Sequence, residues 1–526
     1  MISYTSFSFF LLFFGITAVL YSIVPQKIRW IILLLGSYAF YFVSAKGHIT
    51  AIILASLLVW GAGLWLDKAN KAMKLKRKQA KDKEEKKAIK EKYNRYKRRI
   101  LAVGVVSVVL ILLICKYINF FIATINAVLP LSIGELSIIQ PLGISFFILQ
   151  GISYIADVYY GKIDAQKNPL RVSLYLSFML TVVEGPIARY PQLGTQLSEC
   201  KYNNLENVSK GYIRVCWGLF KKVVIADRAV MLVSAVFDNA DNYSGLAVAG
   251  AVAFYTLQLY CEFSGVMDIM CGLGYMLGIE LPENFNQPFF AKSINEFWQR
   301  WHISLGSFLR DYIFYPISLS KGIKNLTAKT KEKFNPYYAS LIPTAVALFF
   351  VWFTNGFWHG SGWKYIVYGL YYYVLMMLGL FTKPLTDKLC EKLKINRQTK
   401  AFEIFAVLRT IVIVNIGMLI FRADNLKTAV KMFASMFKNI DFSVILPGHK
   451  NGFGLSLYDY AVILIGFILL VAVGILKERK IDIIDKIYKL PFALKFVLYL
   501  AAIFVIIIFG AYGEGYGVVD LIYANF

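Results

Sequence analysis

Two of the chain's four histidines sit in frames dense in tryptophan and glycine: His302 in Trp298-Gln299-Arg300-Trp301-His302-Ile303-Ser304, and His359 in Gly356-Phe357-Trp358-His359-Gly360-Ser361-Gly362-Trp363. An imidazole with an ordinary pKa of about 6.5 accepts and returns a proton near neutrality, which suits it to general acid–base work. Read as a helix from about Ser293, the first segment places Glu296, Arg300, Ser304, Ser307 and Asp311 on one face. Trp298, Trp301, His302, Leu305 and Leu309 fall on the other. His302 is then on the apolar side, where a lone histidine is most often a packing residue. His359 lies between the hydrophobic stretches 345–354 and 363–380, with Asn355, Gly356, Gly360, Ser361 and Gly362 opening the backbone around it. Glycines there admit a ligand or another helix, and an ionisable group in so apolar a setting is a functional candidate. The plainer alternative is an interfacial aromatic belt shared with Trp358 and Trp363.

The elements that hold these groups follow from composition. Of 526 residues, 58% are hydrophobic and 16% aromatic, far beyond a water-soluble protein. The runs 7–24, 30–43, 49–66, 100–114, 404–421, 460–476 and 492–509 each approach the roughly 20 residues a spanning helix needs. Backbone groups in lipid must be satisfied within the segment, and the runs do not alternate as barrel strands would, so the fold class is all-α and polytopic. The first run lacks a basic leader and is followed at once by two more, so it reads as a retained span.

The net charge of +25 is concentrated in 68–99, half of which is Lys or Arg. The positive-inside rule puts that block in the cytoplasm and, with three spans before it, the N-terminus outside. A single helical stretch without a recognition module argues against nucleic acid. Contact with anionic lipid headgroups suits it better. Beyond it come a long span from Leu101 to Leu129, an outer loop to Gln140, and a return over 141–160. The apolar run 173–183 meets Glu184-Gly185-Pro186-Ile187-Ala188-Arg189, which cannot continue a helix, so a broken or re-entrant segment is expected. From Tyr255 to Ile279, Cys261, Gly265, Asp268, Gly272 and Tyr275 share a helix face, and Asp268 should point into the bundle, where its plainer role is a bond to a neighbouring helix's backbone or a tyrosine. Six scattered cysteines without CxxC pairs and dispersed histidines suggest neither disulfides nor a metal site. No internal repeat is visible.

Several of these motifs, in order and spacing, resemble the membrane-bound O-acyltransferase family over roughly residues 1 to 425. They are Glu184-Gly185-Pro186-Ile187-x-Arg189, Phe263-Ser264-Gly265-x-x-Asp268, Glu283-Asn284-Phe285-Asn286-Gln287-Pro288, Phe297-Trp298-x-Arg300-Trp301-His302-Ile303-Ser304-Leu305, Leu309-Arg310-Asp311-Tyr312 and Trp358-His359-Gly360. Within that family the chain is most similar to the alginate O-acetyltransferase branch. One departure is Leu180, where many relatives carry a proline just before the Gly-Pro-Ile element.

The resemblance implies a ring of about 11 transmembrane helices, with short horizontal or re-entrant helices, around a central tunnel. It implies spans in 1–66, a basic cytoplasmic segment in 67–100, a catalytic core in 101–425, and a loop with further spans in 426–526. His359 and His302 become the catalytic positions. Asn286, Trp298, Arg300, Trp301, Ser304, Arg310, Asp311, Trp358, Asp268 and Glu184 become substrate-binding ones. The implied chemistry uses no bound cofactor and no metal. An acyl group, acetyl above all, passes from a cytoplasmic thioester such as acetyl-CoA or an acyl carrier protein toward hydroxyls of an extracytoplasmic polysaccharide. Lys292, Arg300 and Arg310 would attract donor phosphates. An extracytoplasmic SGNH hydrolase-like transferase is the implied partner, in the plasma membrane of a bacterium. Two alternatives remain: D-alanyl transfer to teichoic acid from a carrier protein, and a polysaccharide or lipid transporter or flippase, which would show two related halves.

Overall fold

A computed structural model of the chain describes residues 3–201, 204–441, 455–512 and 516. These form helices joined by turns and irregular segments, with one isolated β-bridge. Among the described residues nine helices are long and apolar enough to cross a membrane, and the shorter apolar helices Phe9–Ile23 and Ile144–Tyr160 accompany them. The helix Phe492–Phe509 buries none of its side chains and exposes Phe504, Ile507 and Ile508. Such a surface is stable in hydrocarbon and not in water, so the chain is a multi-pass, all-α membrane protein. Two compact units are distinguishable, one built mainly from Met1–Tyr212 with Met270–Pro282, the other from Ile213–Ile269 with Glu283–Ile522.

In the first unit the basic block is two helices, not one. Thr50–Gln79 and Lys83–Leu112 meet at a short break where Asp82 caps the second helix by accepting from the Glu85 N–H. Trp65 Nε1 donates to the Tyr96 hydroxyl at 2.7 Å across this hairpin. The run of like charge hid the turn, because Lys81-Asp82-Lys83 contains no Gly or Pro.

The Gly-Pro region is broken as expected. Helix Pro169–Ser177 ends, 178–189 is irregular, and Tyr190–Glu199 resumes. No proline is needed at Leu180, because neighbouring side chains satisfy the opened backbone. Tyr4 donates to the Met179 carbonyl at 2.7 Å and accepts from the Val183 N–H at 3.4 Å. Ser37 accepts from the Met179 N–H at 3.1 Å, and Tyr175 donates to the Ala188 carbonyl at 2.8 Å. Gly143, at φ +66°, fits against this segment only without a side chain, since a Cβ would lie 1.9 Å from the Val182 oxygen.

The second unit carries the histidines. Its core joins Val248, Val252, Tyr255, Phe297, Trp301, Trp352, Tyr368, Tyr372 and Phe421. Helices Pro336–His359 and Trp363–Lys392 form a hairpin whose glycines let the backbones touch. A Cβ at Gly356 would lie 2.3 Å from the Tyr365 oxygen, and one at Gly369 2.2 Å from that of Trp352. The glycine at 356 thus admits a helix rather than a ligand. Buried charges are paired: Lys222 reaches Asp227 at 2.5 Å and Glu262 at 3.3 Å, and Arg228 pairs with Asp459.

Candidate active site

A small backbone clamp builds the site. Asn284 to Asn286 run antiparallel to Arg300 to Ile303: the Asn286 N–H donates to the Arg300 carbonyl at 2.9 Å, the Ile303 N–H to the Asn284 carbonyl at 3.0 Å, and Phe285 bridges Trp301. Pairing of this kind needs Trp301 extended, so the continuous helix expected from Ser293 onward does not form. Ser293 caps Ile294–Arg300, the chain breaks at Trp301 and His302, and Ile303–Leu309 follows. The separation of faces across that break therefore fails. His302 itself adopts the left-handed conformation, φ +47° and ψ 52°, rare for a residue with a side chain. Conformations of this kind cost of order 1–3 kcal/mol and cluster at functional sites.

The His302 ring is 2% exposed. Its Nδ1 lies 3.2 Å from Asn284 Oδ1, and its edges meet Phe263 at 4.8 Å and Trp358 at 5.7 Å between centroids. Burial first, and the charge of His359 second, hold its pKa well below the ordinary imidazole range. His359 ends its helix, 4% exposed, against Trp358 at 5.0 Å, Phe421 at 5.3 Å and Tyr368 at 5.8 Å.

Both histidines line one cavity of about 530 Å³, together with Trp298, Trp301, Ser307, Arg310, Trp352 and Asn355. Trp298 is held edge-on by Trp352 at 5.1 Å and Tyr372 at 4.8 Å. The walls are aromatic and the polar groups few, as in a small-molecule site. Two buried imidazoles, one held neutral, can take a proton from a hydroxyl where low dielectric strengthens every polar contact.

The remaining expected site residues are distributed. Trp358 lies beside both histidines, tilted to His302 and edge-on to His359, without lining the cavity, and Ser304 donates its N–H to Asn284 Oδ1 at 2.9 Å. Asn286 serves the clamp. Arg300 is paired with Glu296 at 2.7 Å and Glu478 at 2.5 Å, Lys292 with Glu403 at 2.7 Å, and Arg310 with Asp311 at 3.0 Å. The three cations expected to attract phosphate thus already carry carboxylate partners.

Asp268 points inward but pairs with cations rather than with backbone or tyrosine: Arg214 at 2.9 Å and Lys221 at 2.7 Å. It lines a separate polar cavity of about 40 Å³ with Glu283, Asn284 and Lys477. Glu184 belongs to the first unit and is fully buried there. Sequence reasoning missed Asn284, two positions from the chosen Asn286, and passed over Asn355 as a cavity-lining residue although it precedes His359 by one helical turn. Among the described residues no group of three His, Cys, Asp or Glu side chains is placed to hold a metal.

Residues 164–330 match the membrane-bound O-acyltransferase family model, a stretch that includes Glu184, Asp268 and His302 and ends before His359. The probable alginate O-acetylase of Azotobacter vinelandii is 33% identical over 365 residues, covering 68% of this chain and 66% of that protein. The peptidoglycan O-acetyltransferase of Helicobacter pylori is 32% identical over 347 residues, 61% of each. The teichoic acid D-alanyltransferase of Bacillus subtilis is 30% identical over 250 residues, 46% of this chain and 59% of that protein. The matches span between 59% and 66% of these relatives' own lengths, less than two thirds in each case. The chain belongs to the membrane-bound O-acyltransferase family.

Proposed function

We propose that this protein is an O-acyltransferase that moves an acyl group, acetyl in the first instance, from a cytoplasmic thioester donor toward hydroxyls of an extracytoplasmic cell-surface polysaccharide. The observation that carries the reading is the meeting of His302 and His359 on one aromatic-lined cavity inside a membrane protein. In this reading the acceptor oxygen attacks the thioester carbonyl while His359 takes its proton. The tetrahedral intermediate then collapses, the C–S bond breaks, and the proton passes to the departing thiolate. His302 binds the carbonyl or orients the acceptor. General-base help of this kind supplies about 10²- to 10⁴-fold in rate. Acetyl-CoA is the proposed donor, supported by the acetyl-transferring names of the relatives. An SGNH hydrolase-like partner outside the membrane completes transfer to polymer, and the basic hairpin faces the cytoplasm of a bacterial plasma membrane.

The D-alanyl reading is kept because of the teichoic acid D-alanyltransferase relatives. Purified protein given radiolabelled acetyl-CoA and, separately, a D-alanyl carrier protein separates the two. His359→Ala is expected to lower acetyl transfer by at least about 10²-fold at unchanged protein level. Full activity in that variant refutes the catalytic assignment, and transport insensitive to it favours a transporter.

A further inference from the structure

A neutral histidine carries one ring proton, and which nitrogen holds it decides what the other can do. At His302 that choice is readable from one neighbour. Asn284 is 1% exposed, and its side-chain amide has an orientation fixed by a group that cannot reverse its role: the backbone N–H of Ser304, 2.9 Å away, is a donor and requires the carbonyl oxygen opposite it. Turned the other way, the amide would set N–H against N–H. The other end agrees, since Nδ2 then faces the Met267 sulfur at 3.1 Å, an acceptor and never a donor. With Oδ1 so fixed, the His302 Nδ1 at 3.2 Å faces an acceptor and must hold the hydrogen. The backbone reinforces the arrangement, because the Asn284 carbonyl accepts from the Ile303 N–H and pins the left-handed turn at His302.

We infer that Asn284 is a positioning residue that locks His302 as the Nδ1–H tautomer, so that its Nε2 carries the lone pair and accepts, rather than donates, a hydrogen bond. Resting on the acyltransfer reading, this selects between the two tasks left open for His302. A nitrogen without a proton cannot donate to an acyl carbonyl, but it can hold an acceptor hydroxyl. His302 therefore orients the alcohol, and the carbonyl is left to other groups.

Burial keeps His302 neutral, so the tautomer is the operative state. Nitrogen NMR of histidine-labelled protein in lipid reads it directly: with four histidines in the chain, the His302→Gln difference spectrum assigns the signals. The expected result is a protonated Nδ1 and an unprotonated Nε2, with the pattern lost or mixed in Asn284→Ala. Asn284→Asp, which keeps the acceptor oxygen, is expected to retain the tautomer. In acetyl-transfer assays Asn284→Ala is expected to lower kcat by about 10²-fold with little change in donor KM, and Asn284→Asp to recover most of it. A protonated Nε2 in the parent protein, or a tautomer unmoved by Asn284→Ala, overturns the inference. The spectrum needs no turnover, so a failed activity assay with the expected spectrum counts against the acyltransfer reading alone.

Discussion

An imidazole buried as His302 is carries a pH dependence whose sign can be worked out. Its folded pKa lies well below the ordinary value, chiefly through burial and then through the charge of His359. As pH falls, the unfolded chain therefore binds the proton first, so this group leaves stability untouched above about pH 6.5 and erodes it below. Thermal melts in detergent are expected to lose Tm as pH drops from about 6.5, and His302→Gln to flatten that loss; a Tm that climbs on acidification contradicts the burial argument. The histidines themselves were legible from their tryptophan and glycine frames. The left-handed turn at His302 was not, because no glycine or proline marks it: it follows from a pairing with Asn284 to Asn286 that sequence periodicity cannot report. With that pairing out of view, the resemblance put Asn286 forward, whereas it is Asn284 that holds the ring.

At the scale of elements, a carboxylate on a helix can hold neighbouring helices together by pairing with their cations. On Gly245–Met276, Asp268 is the carboxylate against Arg214 and Lys221. Arg214 keeps Glu283 at 2.5 Å if Asp268 is lost, whereas Lys221, 4% exposed in its side chain, is left with the Ser264 hydroxyl at 2.8 Å. Removing one member of a buried pair costs about 3–5 kcal/mol. Asp268→Ala is expected to fail in thermal-shift measurements before it fails in kcat, and a variant of normal Tm with a raised KM would return Asp268 to the substrate. Spans were readable because hydrocarbon demands long apolar helices, and the Gly-Pro break because proline ends a helix. The turn at Asp82 was hidden by charge that looks alike on both sides of it.

At the scale of the whole molecule, the hairpin of Thr50–Gln79 and Lys83–Leu112 carries somewhat under half of the net charge of +25. A single cysteine introduced at Lys87 in a cysteine-free background is expected to react with an impermeant maleimide only in inverted vesicles. Labelling from the outer face of intact cells would reverse the proposed orientation. Length and composition announced a membrane protein. The partition of the described residues into two compact units was not announced, since it joins Met270–Pro282 to residues before Tyr212.

The irregular stretch around Leu180 borrows its hydrogen bonds instead of making its own, and the lender at Met179 and Val183 is a phenol 175 residues earlier in the chain. Any change that displaces Tyr4 therefore strands a carbonyl and an amide in the middle of the first unit. One phenol is, in effect, the latch on an unwound interior.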